Sequence, residues 1–167
     1  MISIDIVQMI GNLSKSFIPV QSLVSALGYL LGILMVMSGL ARLKKIHKHS
    51  QERVIVPICF IIGGAVLIYL PTSLEVVSNT FFGTSSALQY TEYNPYDIYS
   101  AMRVVIQTAG LIWFVRGTVL LVRASSPDEK HGVKGFVFIC AGILAMNFEY
   151  TMSALDTAVA YLMTLTK

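Results

Sequence analysis

Gly32-Ile33-Leu34-Met35-Val36-Met37-Ser38-Gly39 lies over Gly110-Leu111-Ile112-Trp113-Phe114-Val115-Arg116-Gly117 without a gap, and this pairing decides the fold. The offset is 78 residues (110 minus 32), and it holds outward from both stretches. Leu43 then meets Leu121, Phe60-Ile61 meets Phe138-Ile139, and Gly64 meets Gly142. Each copy carries a basic turn at the same place: Arg42, Lys44, Lys45, Lys48 and Arg53 in the first, Arg123, Lys130 and Lys134 in the second. Each copy therefore reads as two apolar helices joined by a short basic turn, and the chain as a duplicated hairpin.

Composition assigns the solvent. The 167 residues are 55% hydrophobic and 13% charged, where a soluble domain carries about 25% charged residues. Mean hydropathy is +0.71. A helix that crosses a bilayer needs about 20 mostly apolar residues. Four stretches meet that length: Leu23–Leu43, Val54–Leu74, Val104–Val122 and Gly135–Thr157. The first 20 residues have neither the charged start nor the small-residue cleavage site of a signal peptide. Insertion is therefore expected through the first spanning helix. The reading is an all-α membrane protein of four transmembrane helices, arranged as two parallel-repeated hairpins with amphipathic, outward-facing termini.

Charge gives the orientation. The basic turns contrast with an opposite side holding Asp5, Glu75, Glu92 and Asp97, with Lys15 and Lys167 as its few bases. An excess of Lys and Arg in short loops marks the cytoplasmic side. Both turns are thus expected inside, and the amino terminus, the central connection and the carboxyl terminus outside. The net charge of +3 is a topological signal. No basic stripe with interleaved aromatics points to nucleic acid. Residues 2–18, with Ile4, Val7, Met9, Ile10 and Leu13 apolar, are expected to lie along the outer surface. The central connection carries Phe81, Phe82, Tyr90, Tyr93 and Tyr96, which suit a headgroup belt or a partner.

Small residues recur seven apart in each span: Gly32/Gly39, Pro57/Gly64, Gly110/Gly117 and Gly135/Gly142, with Gly28 adding a GxxxG to Gly32. Seven residues is nearly two turns, so each pair shares a helix face. Lipid provides no hydrophobic drive between helices, and close backbone approach supplies dispersion contact instead. Whether these faces meet within a chain or between chains stays open.

Few residues suggest chemistry. Arg116 sits about 10 Å inside the cytoplasmic boundary at 1.5 Å per residue. It has three open readings: snorkelling to headgroups, lining a lumen, or holding an anionic lipid or neighbour. Arg103 and Glu75 fall at similar heights near the outer face and are expected to pair. Glu149 is an outer-face acid beside Asn147 and Tyr150. Pro71 ends helix two, but its repeat equivalent is Glu149, so no matched helix breaks are expected. His47 and His49, with His131 in the other turn, do not form a metal set. Cys59 and Cys140 read as small core residues. No nucleophile, base, metal or cofactor motif appears.

The Gly32–Leu40 stretch, the Cys140-Ala-Gly-Ile-Leu-Ala-Met-Asn-Phe-Glu stretch ending at Glu149, the four-helix pattern and the size together resemble a known group. It is the small polytopic inner-membrane components of the Dot/Icm type IVB secretion system, the IcmC/DotE and DotV group, akin in hairpin pattern to conjugative pilins. The resemblance covers about residues 20–157. It implies a non-enzymatic subunit of a bacterial translocation channel. Its partners would be other inner-membrane and periplasmic subunits, and anionic phospholipid at the cytoplasmic turns. On it the chain divides into a 1–20 amphipathic periplasmic segment, a 21–78 first transmembrane hairpin, a 79–97 periplasmic loop, and a 98–167 second hairpin with a periplasmic extension. A small homo-oligomeric channel or transporter is the alternative.

Overall fold

The structure, a computed structural model, describes residues 2–46, 54–83, 98–126 and 132–165, the side chains at 2–8, 10, 14, 46 and 165 excepted. Every element among them is helical: α1 (Ile2–Ile46), α2 (Ile55–Ile68), α3 (Leu70–Phe82), α4 (Ile98–Arg123), α5 (Gly132–Met146) and α6 (Phe148–Leu165). Two stretches, Gly11–Lys45 of α1 and all of α4, are long and apolar enough to cross a membrane. The α2–α3 and α5–α6 pairs reach that length only together, and each is bent, by 92° and 95°. Leu27, Leu30, Leu34, Met37, Ile62 and Val137 are all at least half exposed. So continuous an apolar surface suits lipid and not water.

Glycine sets the first level of packing. A Cβ built on Gly32 would come within 2.7 Å of the Gly64 carbonyl oxygen, and one on Gly64 within 2.7 Å of the Gly32 oxygen. In the second copy, Gly110 and Gly142 stand in the same relation, at 2.8 and 2.7 Å. One turn-pair further on, Gly39 abuts Pro57, and Gly117 abuts Gly135. Residue numbers rise in one helix as they fall in the other, so α1–α2 and α4–α5 are antiparallel pairs in backbone contact. The glycine faces are thus consumed within the chain. Gly28 is the exception. A Cβ there would meet Leu70 and Val115 at an ordinary 3.7 Å, so the GxxxG does not mark a close approach at that position.

The second level joins the copies. Gln21 meets Thr108 and Gly28 lies by Val115, so α1 and α4 run side by side in the same direction. The central helix is α4. Gly110, Phe114, Gly117 and Leu121 face α5, while Thr108, Val115 and Val122 face the first copy. Leu67, Leu70, Leu74, Leu111, Phe114 and Met146 form the buried core between them.

Three sequence expectations are corrected. The amino-terminal residues do not turn off as a separate segment: α1 is continuous over 45 residues, about 67 Å at 1.5 Å per residue. Pro19 removes a single backbone donor, and the helix runs through it. The expected second span, Val54–Leu74, breaks at Tyr69. The expected fourth, Gly135–Thr157, breaks at Asn147, and α6 leaves at a near right angle instead of extending straight.

Candidate functional site: a polar layer at two matched helix breaks

Tyr69 and Asn147 are 78 residues apart (147 minus 69), so the two breaks occupy equivalent positions. Their hydrogen bonding is equivalent too. Tyr69 N–H donates to the Ala65 carbonyl at 3.0 Å, and Asn147 N–H to the Ile143 carbonyl at 3.1 Å. Four residues on, Ser73 N–H donates to the Tyr69 carbonyl at 2.8 Å and Thr151 N–H to the Asn147 carbonyl at 2.9 Å. The same two residues turn their hydroxyls back across the bend. Ser73 Oγ donates to the Val66 carbonyl at 3.2 Å, and Thr151 Oγ1 to the Leu144 carbonyl at 2.9 Å. A helix end at membrane depth has carbonyls that water does not reach, and such a bend is tolerated where side chains satisfy them. This overturns the expectation that matched breaks are absent.

The two breaks have different local causes. In the first copy Pro71 lacks the N–H that would continue the ladder, and the chain leaves helical torsions at Tyr69, φ −96° and ψ 35°. It then sits near the start of α3, where a missing N–H is tolerated. In the second copy no proline is present. Asn147 is buried, 4% exposed, and its Nδ2 donates to the Ile143 carbonyl at 3.0 Å and to Ser78 Oγ at 2.9 Å. Asparagine competes with the helix for backbone partners, which favours an end over continuation.

Around Asn147 the polar side chains of both copies gather. Gln107 Nε2 donates to the Met146 carbonyl at 3.2 Å, capping another freed oxygen. Gln21, also buried, donates from Nε2 to Thr108 Oγ1 at 3.0 Å, while Thr108 donates on to the Val104 carbonyl at 2.7 Å. Arg103 Nη1 lies 2.9 Å from Glu149 Oε1. The expected Arg103–Glu75 pair is therefore replaced by Arg103–Glu149, which continues the antiparallel register of Gly117 on Gly135 and Gly110 on Gly142 seven residues further out. Glu149 also sits where a carboxylate favours a helix amino end. Glu75 is exposed on α3. The hollow bounded by Arg103, Gln107, Asn147, Glu149 and Tyr150 holds only ≈ 10 Å³, space on the scale of one water. The layer is built to hold helices in place. Sequence reading missed Gln21, Ser78, Gln107 and Thr108; polar residues inside apolar spans were the signal that was there to use.

Arg116 lies at the other end, near the basic turns. It is exposed on α4 with its guanidinium 5.5 Å from the Phe138 ring centre. Arg42 stands 4.7 Å over Phe60, which is the repeat equivalent of Phe138. Cation–π contact to the partner helix thus occurs in both copies. Arg116 borders two open grooves, one of ≈ 590 Å³ with Lys134, Val133 and Val137, the other of ≈ 600 Å³ with Arg123, Leu27 and Leu31. Both grooves lie on the outside of the helix bundle. Cys59 and Cys140 are half-buried free thiols. The His47, His49 and His131 reading and the tyrosines of the central connection lie outside the described residues. Comparison of the chain with protein families, with curated proteins and with solved structures finds no match in any of the three.

Proposed function

We propose that the chain is a non-enzymatic structural subunit of a type IV, IVB-like, translocation channel in a bacterial inner membrane. In this reading α1, α2, α4 and α5 are the four spans, both basic turns are cytoplasmic, and the termini and central connection are periplasmic. At 14 and 15 residues, α2 and α5 measure about 21–23 Å, less than the ~30 Å hydrocarbon core. Their breaks then fall in the outer leaflet, and α3 and α6 lie across the spans at that level. The observation that carries the reading is the way both copies are locked: glycine backbone contacts inside each pair, and side-chain caps on the freed carbonyls at each break. Such a body is stiff, duplicated and turned outward on one side. Anionic phospholipid at Arg116, Arg123 and Lys134 and larger envelope subunits at the periplasmic face are its proposed partners. The secretion assignment itself rests on the family resemblance.

A homo-oligomeric channel or transporter is the second reading, and the matched breaks favour it. Transporters bind substrate at discontinuous helices in repeated halves. Here, however, Ser73, Gln107 and Thr151 occupy the freed carbonyls of Val66, Met146 and Leu144. Gentle detergent purification from native membranes, followed by mass spectrometry, separates the two. Co-purification with large envelope-spanning subunits is expected. A particle of this chain alone would overturn the secretion reading and favour the pore. Neutralising Arg103, Glu149, Glu75 and Arg116 with assembly intact abolishes transport only under the second reading.

A further inference from the structure

The two copies are displaced along their helix axes. Gln21 is level with Thr108 and Gly28 with Val115. Those partners are 87 residues apart (108 minus 21), while repeat-equivalent residues are 78 apart (110 minus 32). The second copy is therefore set back by nine residues (87 minus 78), about 13 Å, toward the end away from the basic turns. Arg116 is level with Tyr29 of α1, so Arg42 stands thirteen residues further on (42 minus 29), about 20 Å. Arg123 stands seven residues beyond Arg116 (123 minus 116), about 10 Å. Whichever copy's bases mark the headgroup level, Arg116 lies well inside it. Snorkelling and a lumen within the chain then fit Arg116 poorly. Because α4 runs toward its basic turn, its Cβ bonds lean the other way, and the guanidinium lies 5.5 Å from the Phe138 ring centre on the neighbouring helix. Lys134 borders one outer groove with Arg116, and Arg123 borders the other. Among the described residues no carboxylate pairs with any of the three, the Arg103–Glu149 pair being at the opposite end. In the first copy Ser38 stands for Arg116 and Val56 for Lys134, so the set occurs once per chain.

We propose that one anionic diacyl phospholipid is seated on the second copy, its phosphate between Arg116 and Lys134 and one acyl chain in each groove. This deepens the lipid partnership proposed above, and it rests on α4 and α5 spanning the membrane but not on the secretion assignment. The two grooves, ≈ 590 and ≈ 600 Å³, share only Arg116 and Leu120. That pair forms a ridge that a forked lipid straddles, with its branch point at the guanidinium. Val137 walls one groove and Leu27 and Leu31 the other, apolar surface that chains cover and a free anion does not. An unpaired cation inside a membrane needs a counter-charge, and arginine matches phosphate oxygens through two parallel N–H bonds. A zwitterionic lipid would bring an ammonium beside two cations already present, and like charges repel. A phosphate held at Arg116 is drawn about 10 Å below the level of Arg123, so the leaflet is thinned beside the second copy.

The chain carries its own reporter. Trp113 is the single tryptophan, three residues before Arg116 on α4, with its ring 6.4 Å from that of Phe138. A phosphate on Arg116 puts the first chain carbons beside Trp113. A headgroup at the level of Arg123 puts Trp113 ten residues deeper (123 minus 113), about 15 Å, beside the middle of the chains. The full chain is reconstituted in phosphatidylcholine vesicles with a minor share of brominated phosphatidylglycerol or brominated phosphatidylcholine, and quenching of Trp113 fluorescence is measured. Phosphatidylglycerol should quench more, and most strongly with bromine near the ester. Arg116→Gln should lower its relative affinity by about tenfold or more and move the strongest quenching to mid-chain bromine. Lys134→Gln should weaken the preference, and Arg42→Gln, which removes the same charge from the first copy, should leave it unchanged. Equal quenching by the two lipids in the unaltered chain would overturn the proposal. So would strongest phosphatidylglycerol quenching from mid-chain bromine, or an equal loss in Arg42→Gln. The unaltered chain decides these first two outcomes even where Arg116→Gln fails to fold. Co-purification of envelope subunits from native membranes tests the secretion reading separately and is unaffected by either result.

Discussion

Gly28 and Gly32 stand one turn apart on α1 and differ in what a methyl group meets. Gly32→Ala and Gly110→Ala push a Cβ against the Gly64 and Gly142 carbonyls, and overpacking of that kind costs about 1–3 kcal/mol. Gly28→Ala has room, and the change is neutral or stabilising by up to about 1 kcal/mol. Thermal unfolding of the three variants in one detergent checks the order, and a destabilised Gly28→Ala would contradict it. The seven-residue spacing made most of these glycines legible in the sequence, because a repeated face survives any helix tilt. The partner of Arg103 was missed. A height ruler counted from the turns pairs it with Glu75, whereas the antiparallel register that sets Gly110 on Gly142 and Gly117 on Gly135 puts Glu149 opposite it, at 2.9 Å. With the two side chains 25% and 59% exposed, the pair is worth under about 1 kcal/mol. A double-mutant cycle of Arg103→Gln with Glu149→Gln should show that coupling, weakening in salt. The cycle with Glu75→Gln should show none.

At the scale of the element, the breaks are a capped device rather than a flaw in a helix. Thr151→Val removes the hydroxyl that the Leu144 carbonyl accepts from. The expected loss is about 1 kcal/mol. Hydrogen exchange should accelerate at the α5–α6 bend, with the α4–α5 glycine contacts still protected. Asn147→Leu strips Ser78 of its donor in addition, and costs more, about 1–3 kcal/mol. Uniform exchange along both helices would show that the bend has no separate stability. Hydropathy finds the apolar stretch either side of each break but not the break itself. Comparing Pro71 with its equivalent Glu149 conceals the match, since proline ends the helix in one copy and a buried asparagine in the other. The shared signal is a hydroxyl residue four positions on, Ser73 and Thr151, which carries no weight until its carbonyl partner is known.

For the whole molecule, the duplicated antiparallel pairs and their common direction follow from the offset and the basic turns. What the sequence left undetermined was how one copy sits on the other, because Gln21, Ser78, Thr108 and Asn147 are isolated polar residues until the pairs are docked. The transverse helices have a consequence of their own. Both leave their partners at the end away from the basic turns, by 92° and 95°, so the molecule is broader there than at the turns. Seated in a bilayer with α3 and α6 in one leaflet, it displaces more lipid area from that leaflet than from the other. Such a wedge has a spontaneous curvature, and it gathers where the membrane bows toward its broad side. Reconstituted with that side on the convex surface, the chain should enrich in small vesicles over large ones of the same lipid. Truncation before α6 should reduce the preference, and equal partitioning of the full chain would show that the transverse helices do not occupy the leaflet.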